Sequence, residues 1–366
     1  MNDFTLNLSP HRYLKRKGVL KAFGEILAPY GKEAFVLFDP FIRERYGSVV
    51  EETLKKGGFH VTAGSMKREC SEEEGIFWAS RLRSSPPDCV IGMGGGKAID
   101  LAKWIAAKIG RPFIAIPTSA ATCAAVTFIS PLYTPEGVYV KTADAAVPSL
   151  TLVDPDIMLT QPPRLLASGM ADAMAKWMEA KGMRKQHHKR IHTASALSLA
   201  RLTYEFLSRK GTRALEDLEN GRWTETLSEV VDINLLTTGL ISLLGGRKVR
   251  VNAAHAFQKF FCGRGSKRDI LHGEWVAFGL IVQMILERAS ESSIQRHIIL
   301  FTRWGLPLTL DALGISRDEE TFEAALEKML GESSPIHNLH VPVTRAQVRD
   351  AILKADEMGS RFLPSF

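Results

Sequence analysis

The sequence predicts an α/β half followed by an all-helical half, and three observations carry that reading. From Ala34 to Asp154, short β-branched or aromatic runs alternate with helical patterns, the arrangement that builds a mostly parallel sheet wrapped by helices. Within that half, the stretch from Val90 to Lys103 passes from an apolar strand-like run through Gly92, Gly94, Gly95 and Gly96 directly into a helix start. After Val153 the strand signals stop, and amphipathic helical patterns continue almost to the end. The composition shift places a boundary near Gln161, giving an α/β domain over 1–160 and a helical domain over 161–366. A chain of 366 residues that is 45% apolar has enough material for two medium cores.

In the first half the expected order is a strand at Ala34 to Phe38, a helix near Phe41 to Lys56, a strand near His60, a helix from Ser71 to Arg83 and a strand at Cys89 to Ile91. A helix follows Lys97, then a strand at Phe113 to Ile116 and strand-like runs at Phe128 to Tyr133, Val138 to Lys141 and Leu150 to Val153. Two proline-containing segments, Asp154-Pro155-Asp156 and Gln161-Pro162-Pro163-Arg164, bracket the change of class. Helices are expected near Arg164 to Lys181, His188 to Ser208, Thr224 to Leu244, Val251 to Cys262, His272 to Ser290, Ser293 to Trp304, Arg317 to Leu330 and Thr344 to Met358. Ser333 to Asn338 reads as a loop without chemistry.

The glycine-rich turn has a chemical meaning. Without Cβ atoms the backbone can bring its N–H groups against an anion, and a helix N-terminus adds partial positive charge. A phosphate or pyrophosphate is the natural guest, with Lys97 in the first turn as a further cation. The spacing is neither that of a P-loop, because Ala98 follows the lysine, nor that of G-x-G-x-x-G, because Lys97 stands at the last glycine position. Asp39 closes the first strand, where a carboxylate can accept from a ribose 2′-hydroxyl and repel a 2′-phosphate, favouring NAD over NADP. The same Asp39-Pro40 pair is equally good helix-capping chemistry. The segment from Pro117 to Thr127 is small, hydroxyl-rich and long for a connection, suited to wrapping a cofactor closely.

Bulk properties exclude several classes. The balance of 47 basic and 40 acidic residues, +7 overall, is spread along the chain, and the Lys185 to Arg190 cluster reads as a solvated face, not a nucleic-acid contact. Cys70, Cys89, Cys123 and Cys262 are too few and too scattered for a disulfide framework, which fits a reducing compartment. The first ten residues carry an early acid and no long apolar core, and Gln283 interrupts the longest apolar stretch, so neither secretion nor membrane insertion is expected.

In the helical half, Asp172, His255 and His272 each sit among small or apolar neighbours. One carboxylate and two imidazoles form a good ligand set for Zn²⁺ or Fe²⁺ with a position left open. Their separations fit no short metal motif, and a buried histidine is as a rule a hydrogen-bonded core residue. From the residues alone the site is one reading among others. The remaining eight histidines, His187, His188 and His192 among them, read as surface.

Taken together, several segments resemble the iron-containing (group III) alcohol dehydrogenase family: Gly94-Gly95-Gly96-Lys97 with Asp100 and Lys103, Pro117-Thr118 with Thr122, Gly169-Met170-Ala171-Asp172-Ala173 with Glu179, Ala253-Ala254-His255-Ala256, and His272 through Gly279. The likeness runs over most of the chain, in order, and is nearest to the glycerol dehydrogenase branch and the related hydroxycarboxylate dehydrogenases. The resemblance implies a dehydroquinate synthase-like architecture: an NAD-binding α/β domain, an all-helical domain, and one divalent metal, Zn or Fe, held by Asp172, His255 and His272. It further implies that Asp39, Gly94, Gly95, Gly96, Lys97, Thr118, Thr122, Thr127, Ile129 and Tyr133 line the NAD site. A hydride would pass between the carbon of a metal-activated alcohol and the nicotinamide.

Three departures from that pattern bear on substrate. Cys123 stands where the glycerol enzymes carry an aspartate that contacts glycerol, and the Ala-Thr-Cys-Ala-Ala wording is similar to the hydroxycarboxylate branch. Arg250, five residues before His255, is a candidate anchor for a substrate carboxylate. Gln258 and Lys259 follow the ligand histidine where the family has a second imidazole. The reading is an NAD(H)-linked, metal-dependent dehydrogenase of a small alcohol, polyol or 2-hydroxy acid, cytoplasmic and homo-oligomeric, with no nucleic-acid or membrane partner. Two rivals stand beside it: a dehydroquinate synthase-like lyase, which calls for more basic residues near the metal, and an NAD-binding sensor without turnover.

Overall fold

The computed structural model describes residues 8–181, 190–246, 251–262, 269–315 and 319–362. These fall into two compact units, one reaching to Gln161 and including Gly221–Trp223, the other formed by Pro162–Asn220 and the chain from Thr224 onward.

The first unit is an α/β layer structure. Its strands are β1 (Tyr13–Lys15), β2 (Glu33–Phe38), β3 (His60–Ser65), β4 (Cys89–Gly94), β5 (Phe113–Pro117), β6 (Ile129–Tyr133), β7 (Tyr139–Asp144) and β8 (Pro148–Val153). Its helices are α1 (Phe23–Leu27), α2 (Pro40–Lys56), α3 (Glu72–Arg83), α4 (Gly96–Ile109) and the short α5 (Pro155–Met158). Six strands form one sheet in the order β1-β8-β5-β4-β2-β3, every pairing parallel. The central strands β4 and β5 are buried along their whole length, which explains why they read as continuous apolar runs without alternation. One face packs Ile42, Val50 and Leu54 of α2 against Val36, Ile91 and Ile114, and the other packs Ile99, Ala102 and Trp104 of α4 against Phe35, Val90 and Phe113.

Two features differ from expectation. The runs at Phe128 to Tyr133 and Val138 to Lys141 form a separate antiparallel pair, β6 with β7. The link between them is a tight turn closed by Thr134 and Val138 (2.8 Å), and so short a link can join only antiparallel neighbours. The edge strand β1, three residues long, is too short to show a periodic signal.

The second unit is built from α6 (Pro163–Lys181), α7 (Ile191–Glu219), α8 (Glu225–Asp232), α9 (Thr238–Gly245), α10 (Ala253–Phe261), α11 (His272–Leu286), α12 (Glu291–Arg303), α13 (Glu319–Met329) and α14 (Arg345–Ser360). A single π turn, Ile233–Thr237, joins α8 to α9 into one helical rod, apolar enough by composition to cross a membrane yet 61% buried within this fold as a core element. Helix α11 is the axis of the unit, buried from Gly273 to Met284 and packed against α6, α10 and α14. A Cβ on Gly273 would overlap the Ser168 carbonyl, so glycine at that position is what lets α11 start directly against α6. Helix α7 extends past Ser208 to Glu219. Gly211 weakens its helix signal in sequence, but in the fold it lies flat against the Trp304 indole, and packing overrides propensity.

Candidate active site

The carboxyl end of the sheet carries one candidate site. The chain runs from β2 outward to β3 and then returns to β4 on the other side of β2, so the strand order reverses between β2 and β4. Open α/β sheets place ligands at such a reversal. Asp39 and the glycine turn lie there together, joined by the Asp39 N–H to the Met93 carbonyl at 3.1 Å. The approach is close: a Cβ on Gly94 would stand 2.7 Å from the Asp39 Cβ and 2.9 Å from that of Ala98. Helix α4 then begins at Gly96, with Gly95 at its N-cap and so no side chain over its first-turn N–H groups. Gly94, Gly95, Gly96, Ser119, Thr122 and Ala125 line one cleft.

Of the two readings of Asp39, capping is realised: its Oδ1 accepts from the Phe41 N–H at 3.0 Å, with Pro40 at the first helical position. Lys97 is tied to Glu69, its Nζ 2.7 Å from the Glu69 carboxylate. Thr118 is buried and donates its N–H to the Gly94 carbonyl at 3.0 Å. The long segment after β5 is pinned by residues that its own composition does not reveal. Gln161 Oε1 accepts from the Ala120 N–H (2.8 Å), Lys103 Nζ donates to the Ala124 carbonyl (2.8 Å), and Thr151 Oγ1 donates to the Ala125 carbonyl (2.7 Å). Lys103 also approaches the Thr127 hydroxyl at 3.5 Å, and Cys123 is half-buried in the same segment. Ile129 and Tyr133 begin and end β6, which packs on α4, and the Tyr133 N–H donates to the Cys70 carbonyl at 2.9 Å.

A second candidate site lies in the helical unit. Asp172 on α6, His255 on α10 and His272 at the start of α11, 83 and 17 residues apart in sequence, converge so that one ligand atom of each lies within 4.8 Å of the others. Asp172 Oδ1 is 3.2 Å from His255 Nε2 and 3.7 Å from His272 Nε2. Ligands about 2.0–2.1 Å from a tetrahedral ion stand roughly 3.3 Å apart, so these residues fit a divalent metal without rearrangement of the helices. The fit extends outward. Glu179 is fully buried, and its carboxylate accepts from His255 Nδ1 at 2.6 Å and from the backbone N–H groups of Asn252 (2.7 Å) and His255 (3.0 Å). That fixes the ring with Nε2 toward Asp172 and makes it a stronger ligand. His272 is a third exposed, so the cluster opens on one side.

A residue that the sequence reading did not single out completes the cluster. Lys176, one turn after Asp172 on α6 and buried, places Nζ 2.8 Å from Asp172 Oδ1. Burial alone would push the Asp172 carboxyl up; the Lys176 ammonium and the two imidazoles outweigh it and hold the group well below the usual carboxylate range. Burial works against a charged His255, but the Glu179 carboxylate, opposed in part by Lys176 and helped by the hydrogen bond to Asp172, raises the ring above its ordinary value. The visible signal is a second charge one turn after Asp172 in the run Ala171 to Met178, which is otherwise small or apolar. His297 likewise corrects the expectation that the other histidines are surface: it is buried, with Nε2 2.9 Å from the Tyr204 hydroxyl. Arg250, with His187 and His188, lies outside the described residues.

Comparison with known proteins agrees with this geometry. Residues 10–155 match the family model for iron-containing alcohol dehydrogenase. Over 97% of its length the chain is 32% identical to a glycerol dehydrogenase of Pseudomonas putida, covering 98% of that protein. It is also 32% identical to hydroxycarboxylate dehydrogenase A of Escherichia coli over 73% of this chain and 74% of that one. Among solved structures, glycerol dehydrogenase from Schizosaccharomyces pombe superposes with a TM-score of 0.86 at 27% identity, covering 99% of this chain and 92% of that chain. The fold and site define an oxidoreductase of the alcohol dehydrogenase class. The chain belongs to the iron-containing alcohol dehydrogenase family and is akin to its glycerol dehydrogenases.

Proposed function

We propose that this protein is an NAD(H)-linked, divalent-metal-dependent dehydrogenase that interconverts a small alcohol, polyol or 2-hydroxy acid with its carbonyl form, working in the cytoplasm as a homo-oligomer. The observation that carries this reading is the convergence of Asp172, His255 and His272, backed by Glu179. In this reading the α/β unit is the dinucleotide domain and the helical unit the metal domain.

The residues have distinct tasks. Asp172 supplies the anionic oxygen, and His255 and His272 supply neutral nitrogens, His255 kept in the required tautomer by Glu179. Held by these three, Zn²⁺ or Fe²⁺ would act as a Lewis acid, stabilising negative charge on the substrate oxygen. The glycine turn and the α4 N-terminus offer backbone N–H groups to a pyrophosphate, and Lys97 exchanges Glu69 for phosphate. Asp39 favours NAD by its charge, since a carboxylate beside the ribose repels a 2′-phosphate. Cys123 in place of an aspartate argues against glycerol itself.

Metal analysis of the purified protein, followed by a screen of small alcohols, polyols, 2-oxo acids and aldehydes with NADH and NADPH, tests the proposal. Stoichiometric Zn or Fe with steady NADH turnover is the expected result; absence of net NADH change on every substrate would overturn it. Lys176 is one basic residue beside the metal ligands of the kind the lyase alternative calls for. The same assay separates the two, because a lyase regenerates its cofactor in each cycle and a sensor makes no product.

A further inference from the structure

We propose that Lys176 determines the substrate class of this centre: it contacts a carboxylate borne next to the reacting carbon and selects 2-oxo and 2-hydroxy acids over neutral aldehydes, ketones and alcohols. The inference rests on the dehydrogenase reading above and narrows it.

The geometry separates Lys176 from an ordinary buried lysine. Its Nζ is directed at Asp172 Oδ1, 2.8 Å away, the same atom that faces Nε2 of His255 at 3.2 Å and of His272 at 3.7 Å. The ammonium therefore shares the atom on which the ligand cluster is centred. The side chain is only 7% exposed, so the charge is held beside Asp172 and away from solvent. A lysine ammonium has three donors on a flexible stem and can serve Asp172 and a second carboxylate at once.

Charge counting then points to the guest. Among the described residues of the centre, Asp172 and Glu179 are the carboxylates and Lys176 is the cation, with Glu179 accepting three hydrogen bonds. Counted over these described residues, a divalent ion and neutral imidazoles bring the sum to one excess positive charge. An uncompensated charge in a buried setting is costly. A neutral ketone leaves that excess in place, whereas a 2-oxo carboxylate cancels it. With a neutral side chain at position 176 the loaded centre is already balanced and the preference for an anion disappears.

Calorimetric titration of the zinc-loaded full-length protein with oxamate and with its neutral counterpart oxamide tests this. In the wild-type protein oxamate is expected to bind at least about 10-fold more tightly than oxamide, and Lys176→Met to weaken oxamate by about 10- to 100-fold while leaving oxamide unchanged. Lys176→Arg, which keeps the charge, restores most of the loss. Zinc affinity of Lys176→Met, read by competition with a chromophoric chelator, stays equal or rises, because a like charge is removed from the ion. Equal binding of oxamate and oxamide by the wild-type protein, or parallel weakening of both in the variant, overturns the proposal; the wild-type comparison stands even if Lys176→Met does not fold. Steady turnover of neutral alcohols with no oxamate preference would sink this inference and leave the dehydrogenase intact. Oxamate selectivity without NADH turnover on any substrate would do the reverse.

Discussion

Each unit contains an aspartate paired with a buried lysine about one helical turn away, and the two pairs behave oppositely. On α4, Lys103 Nζ lies 2.8 Å from Asp100 Oδ1, and on α6, Lys176 Nζ lies 2.8 Å from Asp172 Oδ1. Burial pushes the Asp100 carboxyl above its ordinary value, with Lys103 offsetting only part of the penalty, whereas Asp172 is held well below its own. The difference is the surroundings. Lys103 spends its donors on the Ala124 carbonyl and approaches Thr127, stitching the loop to the helix, while Asp172 meets two imidazoles besides its lysine. The same residue types at helical spacing can be a rivet or a reactive centre, and third parties on other helices decide which.

The comparison can be broken at its strongest point first. Asp172→Asn should abolish stoichiometric metal binding, read by elemental analysis, and lower NADH turnover by roughly 1,000-fold. A variant that keeps both metal and turnover would remove Asp172 from the centre. Lys103→Met leaves Asp100 buried without its cation and should cost about 3–5 kcal/mol in urea unfolding, with weaker NAD binding as the loop loosens. Lys176→Met in the metal-loaded protein should cost far less, because the ion itself compensates Asp172; equal losses in the two variants would erase the distinction drawn above. Glu179→Gln should weaken metal affinity by about 10- to 100-fold in chelator competition, with little change in fold by circular dichroism.

The smallest effect is the pH dependence of the metal-free protein. His255 is raised above its ordinary 6.5, so folding favours its protonated form. That contribution is fully present below about pH 6.5 and is lost as the pH rises through the folded-state value. The denaturation midpoint of the metal-free protein should therefore fall over that rise, while the metal-loaded protein, whose ligand ring is neutral, does not follow. Parallel curves for the two forms would show that His255 does not titrate in the metal-free fold.

Legibility in the sequence followed the range of the interaction. The glycine turn was readable because its strand, bare loop and helix start are contiguous, Val90 through Lys103, and the physics is local. The metal cluster was readable only as a resemblance, because 83 and 17 residues separate its members and nothing local announces that α6, α10 and α11 meet there. Glu179 appeared among the resembling residues without a task; its task depends on the rotation of α10 that turns Nδ1 of His255 toward it. Lys176 is not legible because a charge near the middle of a helix reads as solvated until the packing of α6 is known. The β6 and β7 runs read as strands, but nothing in them sets the pair apart from the parallel sheet, since strand propensity does not specify pairing.

By itself the sequence determined where the chain is sheet-forming and where it is helical, and where a backbone cradle for an anion begins. Those properties depend on side-chain shape and periodicity within a few residues of one another. Only the tertiary structure decided which polar groups come together, that Lys103 ties a loop to its helix while Lys176 faces Asp172 beside two imidazoles, and that the Asp172 carboxyl is held low despite burial. Those outcomes depend on Coulombic and desolvation effects between helices that are adjacent in space and remote along the chain.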